Sequence, residues 1–230
     1  MGTRRIRIIQ LNCEHAIAAN DEIRKLSEEY RADLICLQEP YAVRGKLTGW
    51  PSTCRLVTGD SEEPLAAILA LSEDITVVKL SEFCDKYRTT VEISYGRLTF
   101  VATSHYFKHG EDIEPHIDKL LTLARYCSLK QKQFLFCGDT KAKAALLYNP
   151  RTDDRGVKME DAIAELRLNV VNENTGIPTH RNAAGGFSFV DVTLATDRIF
   201  RSVALWDTLE GATVSDHNVI YFDLETRKVE

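Results

Sequence analysis

Short apolar runs of strand length alternate along this chain with segments of helical period, and this alternation limits the fold more than any other feature. Strands are predicted at residues 6–11, 34–37, 65–71, 76–80, 89–94, 98–103, 134–137, 168–171, 187–195 and 219–224. Helices are predicted at residues 16–30, 113–129 and 158–168, where apolar side chains recur with a period near 3.6. The pattern predicts an α/β fold with two sheets packed face to face and helices outside.

The domain organisation follows from what interrupts these elements. The chain has no repeat of fixed period and no linker rich in Pro, Gly or Ser, so residues 1–230 are predicted to form a single domain. The longer loops are predicted at residues 41–51, 107–112, 148–156 and 172–186.

Composition excludes several classes of protein. A net charge of −5 argues against a general nucleic-acid-coating protein, but it suits an enzyme with a carboxylate cluster and local basic contacts. The six cysteines contain no Cys-x-x-Cys pair, which argues against a zinc ribbon, and a reducing compartment is the simpler expectation. No run approaches the roughly 18 apolar residues of a membrane span, so no membrane partner is expected.

Two predicted strands end in an acidic residue. Glu39 follows a buried run and precedes Pro40, which cannot extend a strand, while Asp139 follows Gly138 at the end of another buried run. Taken singly, each acid is more often an ordinary solvated or turn residue. Two such strand ends together favour the placement of both acids at one rim, the edge of the sheets where strands end. Oxygen ligands at this rim can hold a hard cation.

Other polar residues also lie near predicted strand ends. Strict alternation places Asp191 on the same face as Phe187 and Phe189, and a carboxylate among aromatics needs a partner such as a histidine. His217, after Asp216, directly precedes the last apolar run. The remaining strand-end residues of interest are Asn12, Ser104, His105 and Tyr106.

These motifs, in this order, resemble the exonuclease–endonuclease–phosphatase superfamily over nearly the whole chain. The set is Leu11-Asn12, Gln38-Glu39-Pro40-Tyr41, Ser104-x-Tyr106, Gly138-Asp139, Ser188-x-x-Asp191 and Ser215-Asp216-His217. A narrower resemblance is to the apurinic-like endonuclease domain of non-LTR retrotransposons, especially the site-specific elements of insects. It is carried by Gln38–Tyr41, Asp154-Arg155-Gly156, Asp191-Val192-Thr193, Trp206 and Ser215–His217.

The resemblance implies a DNase I-like, four-layer α/β sandwich that cuts DNA with Mg²⁺, for which Mn²⁺ can substitute. It implies that Glu39 is the main metal ligand, with Asn12 close by and Asp216 assisting. It further implies that Asp139 orients or deprotonates the attacking water, and that Asp191 fixes the tautomer of His217. By the same resemblance His217 and Tyr106 lie at the scissile phosphate, where fixed donors and a cation stabilise developing charge.

One residue departs from the family pattern. The family usually has Gly-Asp-x-Asn-Ala, and here the run is Gly138-Asp139-Thr140-Lys141-Ala142. Lys141 still donates hydrogen bonds, but it is longer than Asn and carries a point charge. Two consequences stay open: Lys141 grips the phosphate directly, or it pairs with Glu39 or Asp139 and competes with the metal.

Basic residues in the segments expected to reach this rim are predicted to contact the DNA backbone. They include Arg44, Lys143, Arg155 and Arg181, although a solvated loop charge is nearly as common for any one of them. By resemblance, residues 179–186 form the loop that helps to choose the target sequence.

Three functions compete at this stage. The first is an endonuclease that nicks double-stranded DNA in the nucleus, so that the new 3′ end primes reverse transcription. It implies a monomer cut from a longer polyprotein with a downstream reverse transcriptase. The second is a phosphatase or phosphodiesterase of the same superfamily. The third is a catalytically weakened DNA-binding module, for which Lys141 is the argument.

Overall fold

A computed structural model describes residues 4–226 of the chain. Within them the strands are β1 Arg4–Asn12, β2 Leu34–Gln38, β3 Ala42–Val43, β4 Lys46–Leu47, β5 Arg55–Thr58, β6 Ala66–Ala70, β7 Ile75–Lys79, β8 Arg88–Tyr95, β9 Leu98–Tyr106, β10 Gln133–Asp139, β11 Asn169–Val170, β12 His180–Arg181, β13 Phe187–Ser188, β14 Asp191–Ala195, β15 Val203–Leu209 and β16 Val219–Thr226. The α-helices are α1 Ile17–Glu29, α2 Glu114–Leu129, α3 Asp154–Leu166 and α4 Asp197–Phe200.

Two six-stranded mixed sheets form the centre of the fold. The first has the order β15-β16-β1-β2-β6-β5, and the second has the order β11-β14-β10-β9-β8-β7. Each sheet contains one parallel pair, β1 with β2 and β9 with β10, flanked by antiparallel neighbours. Two short ribbons, β3–β4 and β12–β13, lie outside the sheets.

Alternation along the strands sends side chains to two different apolar layers. Ile8 of β1 and Leu135 of β10 belong to the core between the two sheets. Their neighbour Ile9 faces α1 on the outside of the first sheet, and Phe136 faces α2 and α3 on the outside of the second. The predicted four-layer α/β sandwich is therefore confirmed.

Three details of the predicted elements were wrong. The strand predicted at residues 187–195 is broken, because β13 turns away to pair with β12, and Phe187 is half exposed rather than on the face of Asp191. Helix α3 begins at Asp154, so the Asp154–Gly156 stretch opens a helix and is not loop. The strands β5 and β15 were missed, since neither keeps a clean alternation of buried and exposed residues.

Two simpler expectations can also be compared with the structure. All six cysteines are free thiols in the structure, and the reducing compartment stays an expectation. No helix in residues 4–226 is long and apolar enough to cross a membrane.

Candidate active site

The topology brings the predicted strand ends together at one rim. The parallel strands β1 and β2 end side by side at Asn12 and Gln38, and β9 and β10 end side by side at Tyr106 and Asp139. The antiparallel strand β14 begins at Asp191, directly opposite Asp139, so its start lies at the same rim.

Asn12 joins the two acids that follow the buried strands. Its Nδ2 donates to Glu39 Oε2 at 2.8 Å and to Asp139 Oδ2 at 2.7 Å. Tyr106 also donates to the Glu39 carboxylate. Burial opposes the charge on Glu39, but the hydrogen bonds from His15, Asn12 and Tyr106 outweigh it and lower its pKa. Glu39 is therefore an anion at neutral pH.

The predicted histidine partner of Asp191 is present. His217 Nδ1 lies 2.8 Å from Asp191 Oδ2 and 3.0 Å from Oδ1, and both side chains are almost fully buried. Burial lowers the pKa of His217, but the carboxylates of Asp191 and Asp139 exceed that effect and raise it overall. The Oγ1 of Thr179 accepts the backbone N–H groups of Val190 and Asp191, which fixes the acid at the start of its strand.

Lys141 enters the same network. Its Nζ lies 2.8 Å from Asp139 Oδ2 and 3.1 Å from His217 Nε2. Burial lowers the pKa of Lys141, but Asp139 outweighs it, so the ammonium stays charged. Because an ammonium group has no lone pair, His217 Nε2 can only accept in this contact, which requires a ring with its proton on Nδ1. Lys141 thus opposes the increase in the His217 pKa that Asp191 and Asp139 cause. Lys141 is therefore paired with Asp139 in the structure, and its predicted contact with the phosphate stays a prediction.

Buried polar bridges hold the two sheets together behind the rim. Thr193 Oγ1 donates to Gln10 Oε1 at 3.1 Å and accepts from Trp206 Nε1 at 3.3 Å. Gln38 Nε2 donates to Ser104 Oγ at 2.8 Å across the same interface. The two sheets are therefore joined by residues that carried the sequence resemblance, namely Gln38, Ser104, Thr193 and Trp206.

The loop after β10 is clamped by the first turn of α3. Arg155 donates from Nε to the carbonyl of Lys141 and from NH2 to that of Thr140, both at 3.1 Å. An added Cβ on Gly156 would lie 1.9 Å from the carbonyl oxygen of Lys143, so only glycine fits. Asp153 caps the helix by accepting the Gly156 N–H at 2.7 Å. Arg155 therefore positions the loop that carries Lys141, and its predicted contact with DNA stays a prediction.

Two histidines at the rim were not assigned a catalytic or metal-binding role from the sequence, which predicted only a DNA contact for His180. His15 Nε2 lies 3.4 Å from Glu39 Oε1, and the ring of His180 packs 4.6 Å from that of His217. His15 reaches Glu39 because Glu14 and His15 both adopt a left-handed backbone. His180 arrives on the β12–β13 ribbon, and neither feature has a periodic signal in the sequence.

Two places on the rim offer metal ligands, and they differ in openness. Among residues 4–226, Asp139, Asp191 and His217 place ligand atoms within 4.8 Å of one another, but His217 Nδ1 already bonds Asp191 and its Nε2 faces an ammonium. Glu39 borders an open cavity of about 470 Å³. The two carboxylate oxygens of Glu39 can accept more bonds than those from Asn12, His15 and Tyr106, so Glu39 fits a hard cation better.

The other predicted residues lie at the surface of loops. Asp216 is exposed and contributes its backbone N–H to Glu14 Oε2 at 2.7 Å, so its predicted assistance to a metal stays a prediction. Arg44 stands exposed in the β3–β4 turn, and Lys143 is exposed after β10. Arg181 forms an exposed ion pair with Glu210 at 3.0 Å. The DNA contacts of these three basic residues also stay predictions.

A family profile decides the relationship of this chain to known proteins. The profile described as endonuclease-reverse transcriptase matches residues 100–221, which is more than half of the sequence. The chain belongs to the endonuclease-reverse transcriptase family. Membership in this family and the DNase I-like fold support a nuclease, that is, a phosphodiester hydrolase. No curated protein sequence matches the chain significantly.

Solved structures show how far the fold of this family member is shared. The endonuclease domain of TRAS1, a telomere-specific non-LTR retrotransposon, superimposes with a TM-score of 0.86 at 24% identity, over 97% of this chain and 100% of that one. An AP endonuclease from Leishmania major gives 0.77 at 10% identity, over 97% and 89%. An AP endonuclease from Archaeoglobus fulgidus gives 0.65 at 17% identity, over 94% and 98%. These likenesses confirm the DNase I-like fold.

Proposed function

We propose that this domain is a Mg²⁺-dependent DNA endonuclease that nicks one strand of a chromosomal target and so starts target-primed reverse transcription. The observation that carries the proposal is the joining of Glu39 and Asp139 through Asn12, beside the Asp191–His217 pair. The matching family profile names an endonuclease with a reverse transcriptase, and one structural relative is a retrotransposon endonuclease domain. We further propose a nuclear monomer with a reverse transcriptase in the same polyprotein.

Each residue contributes a separate part of the hydrolysis. Glu39 would hold the cation, and its hydrogen bonds from Tyr106 and His15 fix the direction of the carboxylate. When bound, the cation supplies positive charge to the phosphate as the transition state forms. Asp139 would orient the attacking water and accept its proton. Asp191 keeps the His217 ring in one tautomer beside the phosphate position.

Hydrolysis of supercoiled plasmid tests this proposal. Wild-type protein is expected to nick with Mg²⁺, to stop with a chelator, and to leave 3′-hydroxyl ends that an added reverse transcriptase extends. Glu39→Gln and His217→Ala should both abolish nicking, while Glu28→Gln, on the exposed face of α1, should match the wild type. Retained nicking in both site variants would overturn the assignment.

Two further readouts separate this function from its competitors. Mg²⁺ should raise the thermal unfolding temperature of the wild type more than that of Glu39→Gln, because a ligand that binds only the folded state stabilises it. Phosphate release from mononucleotides without nicking would favour a phosphatase. Binding to plasmid without nicking would favour the DNA-binding module.

A further inference from the structure

Lys141 lies over the buried part of the rim. Its side chain is 18% exposed, whereas the side chains of Asp139 and His217 are 0% exposed. The ammonium group contacts both of them, on Asp139 Oδ2 and on His217 Nε2. An anion that approaches from solvent therefore meets Lys141 before it meets the His217 ring.

The backbone around Lys141 is held so that this side chain points inward. Lys141 adopts a left-handed conformation with φ 47°, and its N–H donates to Asp139 Oδ1 at 3.2 Å. Its carbonyl oxygen accepts from Arg155 Nε. A residue other than glycine is strained in this left-handed conformation, and such strain persists only where surrounding contacts enforce it.

We propose that Lys141 Nζ, rather than the His217 ring, is the group that contacts the scissile phosphate. This inference rests on the proposed endonuclease function and assigns the phosphate contact within that site. The ammonium has three N–H donors, of which Asp139 and His217 take two, so one remains for a phosphate oxygen. His217 and Asp191 then act as positioning residues that hold the ammonium.

Charge gives the reason for a cation at this place. Glu39, Asp139 and Asp191 bring three carboxylates to the rim, and a phosphodiester that approaches them carries a further negative charge. Lys141 adds a permanent positive charge in direct contact with Asp139 and His217. Because its partners hold it in place before the substrate arrives, it stabilises charge on the phosphate without reorganisation during the reaction.

In the competing arrangement the Lys141–Asp139 ion pair is inhibitory, because it must separate before DNA and metal bind. The two arrangements predict opposite effects of removing the charge. A phosphate contact adds to DNA affinity and to its dependence on salt, because each neutralised phosphate releases counterions. In the competing arrangement Lys141 contributes neither to DNA affinity nor to its dependence on salt, and removal of its charge strengthens binding.

The test is DNA binding by Lys141→Met in chelator across a range of salt concentrations. We expect weaker binding than wild type and a plot of log affinity against log salt that is shallower by about one unit. Lys141→Arg, which keeps the charge, should keep the wild-type slope. Lys130→Met is the matched control, since Lys130 is exposed beyond α2, near the opposite end of β10 from Asp139.

A second measurement places the contact at the scissile phosphate. At the mapped nick position, a neutral methylphosphonate should weaken binding of the wild type and have little further effect on Lys141→Met. An unchanged slope, tighter binding by Lys141→Met, or equal methylphosphonate losses in both proteins would overturn the inference. Because binding is measured without metal, the affinity and the salt slope are independent of whether Glu39→Gln abolishes nicking. If Lys141→Met does not fold, Lys141→Gln takes its place, with thermal unfolding as the check.

Discussion

Four side chains at the rim stand on left-handed backbone without being glycine. They are Glu14, His15, Glu39 and Lys141, with φ between 44° and 56°. Three others with this conformation, Arg31, Gln131 and Arg167, follow helix ends, where it is common. At Glu39 neighbouring backbone holds the conformation, because its N–H donates to Leu65 and its carbonyl accepts from His15. This conformation fixes where the Glu39 carboxylate can reach.

Asp191→Asn should slow Mg²⁺-dependent nicking by about a hundredfold or more, because loss of a carboxylate that orients a catalytic-site histidine lowers the rate by about that factor. The new amide can donate to Nδ1, which moves the ring proton to Nε2. That nitrogen would then point a donor at the Lys141 ammonium, so the contact at 3.1 Å would be lost. The measurement is the initial nicking rate on supercoiled plasmid.

Asp118→Asn is the control for this change, since Asp118 is an exposed residue of α2. It should nick at the wild-type rate. A rate for Asp191→Asn within twofold of wild type would show that the orientation of the His217 ring is irrelevant to cleavage.

At the scale of elements, the sequence predicted those site residues whose positions are set by the ends of strands. Asn12, Glu39, Tyr106 and Asp139 follow buried strands, and parallel pairing brings such ends to one edge. The sequence did not predict how β13 leaves the line of β14, because the apolar run continues through both. Its resemblance to the family singled out the Asp154–Gly156 stretch, but only the structure gave its physical reason.

Gly156→Ala should destabilise the fold by about 1–3 kcal/mol, the usual cost of forcing extra volume into a packed site. The added methyl would meet the Lys143 carbonyl at 1.9 Å. Alanine gains about 1 kcal/mol of helix propensity over glycine, which offsets only part of that cost. Because the displaced loop carries Lys141, nicking should fall as well. Urea unfolding and the nicking rate measure the two effects.

Val157→Ala is the matched control, one residue further along the same helical turn and about half exposed. It should change the free energy of unfolding by less than about 0.5 kcal/mol. If Gly156→Ala is as stable as Val157→Ala, the close approach of α3 to the loop after β10 does not constrain this position.

A buried histidine pair joins α2 to β9. His116 Nδ1 lies 3.1 Å from His105 Nε2, and its ring stacks on Phe107. Burial, with help from Lys119 and Arg155, lowers the pKa of His116 to about 4 from its ordinary 6.5. Between these values the unfolded chain binds a proton that the folded chain does not, so this pair removes stability as the pH falls from 6.5 to 4.

His116→Phe should therefore lose less stability than wild type over that pH range, although the variant is less stable at neutral pH. Urea midpoints measured from pH 7 to pH 4 report the difference. His109→Phe, a change at an exposed histidine after β9, should follow the wild-type curve. Parallel curves for His116→Phe and wild type would contradict the assigned pKa shift.

At the scale of the whole molecule, the contact between the two sheets is the feature that the sequence described least. The sequence pattern predicted two sheets packed face to face, and Ile8 and Leu135 both belong to the core between them. It did not predict which buried polar residues would meet across that layer. The pairing of Thr193 with Gln10 joins residues 183 apart in the chain, and no local pattern encodes such a distance.

Thr193→Val tests whether this polar bridge makes the two sheets one cooperative unit. Valine has nearly the same shape but leaves Gln10 Oε1 and Trp206 Nε1 without the partner that both share, which costs about 1–3 kcal/mol for a buried unsatisfied group. Thr76→Val, on the exposed face of β7, is the matched control. Because a single domain unfolds in one transition, tryptophan fluorescence and circular dichroism should shift together to lower urea. Two separated transitions in the wild type would mean that the sheets unfold independently and that residues 1–230 do not form one domain.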